Sequence, residues 1–353
     1  MKVKINIISP LIINSTDYIN IPMVIDNSQE KTINMLDMEN ILMDSNNRKE
    51  ITELFMDYFN SDNTEEIFQK LQNYYSKMQK IEKYVIQPKI EYDELDKKRS
   101  NITLPIGNYI DNKYVPYIPG SSIKGAIRNA LRNNFIKIGG SIDVSITQNK
   151  NRRKLDEQIF YMPSKTDSSQ ITDDVMRFIE VTDFYPIKNK YKLKIHKIVR
   201  TKSNNSGGRI PAYAVAIESG EFEGNITINK SLKFFKNLSS VENVFKNLGV
   251  SINTKDYDSS VKEILTITIN YYKDLLTLEK GYYKYIPANP LALGFGGGIE
   301  LKTIIKSLSY SDFNEVKPSI ISKNKKIKLN NDRFPSTHWE INGYKFGVVD
   351  LIY

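Results

Sequence analysis

PYIPGSSIKGAIRNALRNNFIKI, residues 116–138, reads as an extended lead-in followed by an amphipathic helix. Pro116 and Pro119 hold the chain extended, because a proline disfavours helix in the residue before it. Gly120 makes a turn, and Ser121 or Ser122 is placed to cap the next helix by accepting from its free N–H groups. Ile123, Ile127, Leu131 and Phe135 recur every four residues and make one apolar stripe. Lys124, Arg128 and Arg132 recur at the same spacing on the neighbouring stripe. A helix N-terminus attracts anions, since its first N–H groups have no partner and its dipole points positive outward. No acidic residue lies between Asn112 and Ile142 to oppose that field. The flank is therefore either a solvated edge or an anion-binding one.

Composition narrows the choice. The chain has 353 residues, of which 40% are hydrophobic, so a sizeable core is expected. Its formal charge of +9 is unevenly spread. Residues 24–68 hold three basic and eleven acidic side chains, a net of −8, which leaves +17 for the rest. A polyanionic partner suits that remainder. Cysteine is absent and the two histidines, His196 and His338, are far apart in sequence. Disulfides, thiolate zinc and thiol chemistry are excluded, and no metal or cofactor is expected. No apolar run approaches the ~20 residues that span a bilayer. The basic, then apolar, N-terminus lacks a small-residue cleavage site, so the expected location is cytoplasmic, away from membranes.

Along the chain, Lys2 to Ile8 alternates as a half-buried strand, followed by Ser9-Pro10 and the apolar Leu11 to Ile13. Residues 24–84 read as an acidic helical insertion. It has helices over 35–43, 51–59 and 64–84, the last capped by Thr64. Strands are expected at 84–90 and 102–106. Gly139-Gly140 ends the helix of the opening stretch. Residues 141–174 are polar, with Lys150, Arg152, Arg153 and Lys154 clustered, and are expected to form a protruding finger.

Lys188, Lys190, Lys192 and Lys194 alternate with apolar residues, predicting one lysine-lined strand face. Eight basic residues and no acidic one lie between Asp183 and Glu218, Arg209 among them. Residues 213–217 and 222–228 suggest paired strands around Glu218-Ser219-Gly220. A helix is expected over 261–279. Strand character follows from Tyr344 onward.

PLALGFGGGIELKT, residues 290–303, is the second motif. Gly294, Gly296, Gly297 and Gly298 let backbone approach a phosphate and offer N–H groups as an anion nest, with Lys302 just beyond. A tight turn needing positive φ explains the glycines equally well.

Two nucleotide motifs fail. Gly120 to Gly125 has the glycine spacing of a P-loop, but Ala126 and Ile127 stand where Lys and Ser/Thr are required. Gly294-x-Gly296 lacks the third glycine of a dinucleotide fingerprint and does not open a βαβ unit. Metal-free RNA cleavage needs an acid–base set, most often with histidine. None precedes His196, leaving Lys124 and Tyr117, or Asp143 and Asp156, as substitutes.

YIPGSSIKGAIRNAL resembles the helix-start motif of the RAMP superfamily, the RNA-binding proteins of CRISPR systems. The glycine-rich loop resembles the one near the end of RAMP proteins, and DVMRFIEVTD (174–183) and FPSTHWEINGYKFGVVDLIY (334–353) resemble segments of the cap subunits of type III-A (Csm) complexes. The turn after Pro10 departs from the pattern, with Asn14-Ser15-Thr16 replacing the expected glycine.

The resemblance implies an α+β chain of two ferredoxin-like, RRM-related domains with helical insertions and a finger. They would be divided as 1–182, with the insertion at 24–84 and finger at 141–174, and 183–353, with the glycine-rich loop. It further implies a non-catalytic subunit that caps the backbone, holds the 3′ region of the guide RNA and supports its maturation. Expected partners are the guide RNA, other Csm backbone subunits and host nucleases that trim the 3′ end. Ser121, Ser122, Lys124, Arg128, Arg132, Arg209, Gly294, Gly296, Gly297, Gly298 and Lys302 are the expected RNA contacts. A RAMP endoribonuclease and a protein-interaction module without RNA contact are the alternatives.

Overall fold

A computed structural model describes residues 1–43, 48–95, 101–142, 152–163, 173–202, 211–235, 237–297 and 337–353. The strands are β1 (Lys2–Ile7), β2 (Asn14–Asn20), β3 (Val24–Asn27), β4 (Thr32–Leu36), β5 (Val85–Tyr92), β6 (Asn101–Pro105), β7 (Gly107–Ile110), β8 (Lys113–Pro116), β9 (Ile179–Val181), β10 (Tyr185–Lys202), β11 (Ala212–Ile228), β12 (Pro290–Ala292), β13 (Thr337–Glu340) and β14 (Val348–Ile352). The helices are α1 (Met38–Met43), α2 (Arg48–Asn60), α3 (Thr64–Lys77), α4 (Gly120–Lys137), α5 (Arg152–Phe160), α6 (Leu238–Asn247) and α7 (Tyr257–Leu278).

The alternation of Val3, Ile5 and Ile7 with Lys2 and Lys4 puts β1 at the centre of an α+β fold. Its apolar residues are buried, and it pairs antiparallel with β11 on one side and β14 on the other. The main sheet runs β12-β14-β1-β11-β10-β5-β4-β3. Within it, β1-α4-β10-β11-α7-β14 traces a βαββαβ path with strand order β14-β1-β11-β10. That is the ferredoxin-like arrangement. This unit draws strands and helices from both sides of residue 183, so the sheet has no break at the expected domain division.

The stripe Ile123, Ile127 and Leu131 is buried as its spacing requires, and α4 packs against α7. Asn129 donates to the Tyr271 hydroxyl at 3.2 Å across that seam. On the opposite sheet face, Ile12, Ile198, Ala214, Ala216, Ile341 and Phe346 make a smaller apolar cluster, covered by Phe295 and Trp339.

Several expected elements differ. The insertion begins as strands, because β3 and β4 form a hairpin on β5, and only residues from Met38 onward are helical. Asn63, not Thr64, caps α3, which ends at Lys77. The helix buries Ile67, Phe68, Leu71 and Tyr75, and Gln72 bonds both Asp26 N–H and Val24 O of β3 at 2.8 Å. The described part of the finger does not protrude, since α5 lies against α4 with Ile159, Phe160 and Met162 buried. Residues 213–228 are one continuous strand rather than a hairpin. Gly220 (φ +146°) and a register shift absorb the irregularity that resembled a turn.

A candidate RNA interface around helix α4

The N-terminus of α4 abuts the segment 181–183. A Cβ on Gly120 would lie 2.3 Å from Val181 O, so the glycine permits a backbone contact. Gly120 N–H donates to Asp183 Oδ1 at 2.8 Å, and neither serine makes a capping bond. Ser121 is exposed and Ser122 half-buried within the first turn. The expected serine cap is therefore corrected: Pro119 occupies the cap position and a carboxylate from another segment meets the positive helix end.

The basic stripe divides into two kinds of residue. Arg128 Nε bonds Asp156 Oδ2 at 3.1 Å and its Nη1 bonds Asp174 Oδ2 at 2.7 Å, while the guanidinium lies 4.4 Å from the Phe160 ring centroid. Arg132 Nη2 bonds Asp156 Oδ1 at 2.5 Å. These forked contacts clamp α5 and the Asp174 turn onto α4. Arg128 and Arg132 are thus paired with carboxylates, which offset part of the charge they would present to a polyanion. Asp156, weighed above as a catalytic aspartate, is held between two guanidiniums. Lys124 makes no ion pair with a described residue. Burial holds its pKa below the usual lysine range; Asp174 and Glu180 push it up and Arg128 pushes it down.

At the lead-in to α4, the rings of Tyr117 and Tyr185 lie 5.6 Å apart, with Tyr185 44% exposed. Burial and the Asp183 charge raise the Tyr117 hydroxyl above its ordinary range. Isolated tyrosines carry no periodic signal, so the sequence did not reveal that they converge.

The glycine-rich loop serves the fold first. Gly294 has φ +75° and its absent Cβ would meet Ile12 O at 2.3 Å; one on Gly296 would meet the Phe346 ring at 2.6 Å. Phe295 N–H bonds Ile12 O at 2.8 Å, and residues 295–297 form a 3-10 turn. The tight-turn reading thus accounts for Gly294 and Gly296 without a phosphate. Gly298, Lys302 and Arg209 lie outside the described residues, as does Asp143.

The lysine row on β10 is interrupted and matched. Lys188 and Asn189 have positive φ (53° and 52°) and form a kink that breaks the alternation. Lys194 pairs with Asp93 at 2.9 Å, Lys192 reaches Glu91 at 3.9 Å and Lys197 reaches Glu94 at 3.5 Å. The expected uniform cationic face is corrected to one of alternating charge. Both histidines are tied to glutamates: buried His196 lies 2.6 Å from Glu218, and His338 contacts Glu340. Among the described residues, no three potential ligands cluster to hold a metal.

The sequence profile of the RAMP superfamily matches residues 4–301. The chain belongs to the RAMP superfamily. This RAMP protein is similar to the CRISPR system Cms protein Csm5 of Methanocaldococcus jannaschii, with 27% identity over 252 residues, covering 66% of this chain and 56% of the relative. It is also 27% identical over 194 residues to Csm5 of Streptococcus thermophilus, covering 54% of this chain and 47% of the relative. The alignments thus span about half the length of these relatives.

Two solved structures share the fold. One is a chain from the cryo-EM structure of a Csm–crRNA–target RNA ternary complex of a type III-A CRISPR-Cas system. It has a TM-score of 0.71 and 19% identity, covering 100% of both chains. The other is crystalline T. onnurineus Csm5, with a TM-score of 0.62 and 17% identity, covering 98% of this chain and 99% of that one. No described helix is long and apolar enough to cross a membrane.

Proposed function

We propose that this RAMP protein is a non-catalytic subunit of a type III-A CRISPR ribonucleoprotein. It caps the backbone, holds the 3′ region of the guide RNA and supports its maturation beside other Csm subunits. Nucleases recruited from the host would do the trimming. Lys124 is the observation that carries the reading. It is a half-buried cation on a helix flank, without an ion-pair partner among the described residues, followed by exposed Gly125, and the Tyr117–Tyr185 pair lies at the segment that leads into the helix. A guide-holding subunit must accept many sequences, which calls for phosphate and ribose contacts rather than base readout. Lysine, exposed backbone and aromatic faces supply these.

In this reading Ser121, Ser122 and Lys124 touch RNA. Arg128 and Arg132 act by fixing α5, and Gly294, Gly296 and Gly297 shape the turn that seats the Ile12 segment. Arg209, Gly298 and Lys302 remain proposed contacts. The two-domain ferredoxin-like organisation belongs to the same proposal, with the traced βαββαβ unit as its centre. Purifying the protein with its native partners and treating with RNase provides the test. Dissociation is expected, and a complex that survives complete guide digestion would contradict it.

A protein-docking reading is favoured by α2, where Met56 and Phe59 are 59% and 55% exposed beside Glu53 and Asp57. Like charges keep that surface away from RNA, so it suits a protein neighbour and complements the RNA reading.

A further inference from the structure

A cleft of about 590 Å³ is lined by the segment before β5, β5 itself, the β7–β8 turn and the β10 kink. Its volume is in the range of small-ligand sites. Two of its walls are backbone turns with positive φ. Asp111 and Asn112 (φ 48° and 56°) form the hairpin turn, and Lys188 and Asn189 form the kink. The first is the ordinary two-residue hairpin turn, in which Asp and Asn readily take positive φ, and the second is a break within a long strand. The kink is accommodated on its far side by Gly220, whose absent Cβ would sit 3.0 Å from Lys190 O.

The lining has mixed chemistry with a purpose. Gln87, Asn112 and Asn189 present amides, which both donate and accept. Asn112 uses its amide N–H on Lys83 O at 3.2 Å, leaving its carbonyl to accept. Lys83 and Lys113 bring positive charge, with Lys188 adjoining; Glu82 and Asp111 are the acidic lining residues and suit hydroxyl or amino donors. Tyr191 offers an aromatic face and is fixed in place because its hydroxyl donates to Tyr114 O at 2.5 Å. An aromatic face, amides and ammonium groups together match a base, a ribose and a phosphate.

We propose that this cleft is a nucleotide site that takes one nucleotide unit, its base against Tyr191 and the amides and its phosphate toward Lys83 and Lys113. β8 runs from Lys113 in the cleft toward Pro116, and Tyr117 and α4 follow directly. A strand of RNA leaving the cleft along β8 would therefore meet the Tyr117–Tyr185 pair and then Lys124. The RNA form of the site rests on the function proposed above; a free nucleotide is the other source of the same chemistry.

The test uses the full chain, a 4-thiouridine-labelled single-stranded RNA oligomer and, separately, uridine monophosphate. The expected result is photocrosslinking within 111–113 or 187–191. A roughly tenfold or greater loss of RNA affinity is expected in the Lys113→Glu, Asn189→Asp variant, with unchanged thermal melting. Gln87→Leu, at an exposed position, provides a second variant should the first melt early. Monophosphate binding lost in the variants, with RNA binding intact, would assign the site to a free nucleotide. If Lys124→Ala reduces RNA affinity while both cleft variants bind RNA and monophosphate like the parent, the cleft is overturned and the α4 reading stands. Absence of binding by either probe also overturns the cleft.

Discussion

Lys124 and Arg128 are one helical turn apart and have the same sequence signature, yet only Arg128 is ion-paired with described carboxylates. Arg128→Ala would leave Asp174 without its guanidinium partner, and Asp156 with Arg132 alone, in a partly buried site. A loss of ~1–3 kcal/mol in urea unfolding is expected. Lys124→Ala removes a cation that no described carboxylate needs, so stability should hold while RNA affinity falls in a filter-binding titration. A double variant would mix the two effects. Gly125 sharpens the comparison: it is exposed mid-helix, and nothing lies within 4 Å of the position its Cβ would take. Gly125→Ala should stabilise the chain by ~0.5–1 kcal/mol. If RNA backbone approaches there, the same variant should bind RNA more weakly; equal binding would show that the glycine is incidental. Gly294→Ala is expected to be destabilising, because its φ and the nearby Ile12 carbonyl both oppose a side chain.

At the scale of elements, local pattern predicted what local forces decide. The spacing of Ile123, Ile127 and Leu131 yielded α4, and the alternation in Lys2–Ile8 yielded β1, because each buries one face of a regular backbone. Asp156 and Asp174 were invisible as arginine partners, since nothing in residues 141–174 announces that α5 folds back. The lysine row on β10 misled for a related reason. Its partners, Glu91, Asp93 and Glu94, come from the end of β5 and the residues just after it, about a hundred residues earlier, and the kink at Lys188 leaves no mark on the sequence alternation. A carboxylate on the neighbouring strand β11, Glu218, is sensitive to pH. Burial pushes the Glu218 carboxyl up, but its bond from His196 and the nearby Lys194 more than offset this, so the net pKa lies below the ordinary carboxylate value. Glu218 therefore contributes stability above pH about 4.5 that is lost as the pH falls through its lower folded value. Glu218→Gln should flatten this acid limb in melting curves recorded from pH 6 to 3. An unchanged limb would place the acid sensitivity elsewhere.

For the whole molecule, the charge division is the guide: −8 over residues 24–68 against +17 elsewhere. Backbone recognition of single-stranded RNA predicts a steep salt dependence. Neutralising about four phosphates gives a log–log slope near −3, with little change among unrelated sequences of equal length. A flat salt response would argue for a protein partner instead. The topology was less legible than the elements. That β1 and β14 pair across nearly the full length of the chain has no local signature, and neither does the sharing of one sheet by residues on both sides of position 183.

That pairing also bears on how the protein is made. β14 fills the slot between β1 and β12, with Ile7 opposite Val349 and Leu291 opposite the same Val349. During translation β1 emerges well before β14 and must wait for more than three hundred further residues before that neighbour arrives. Until then its hydrogen-bonding edge is open to chaperones or to other nascent chains. Closing so long a loop makes assembly of the central sheet a late event, completed when synthesis of residues 348–352 is done.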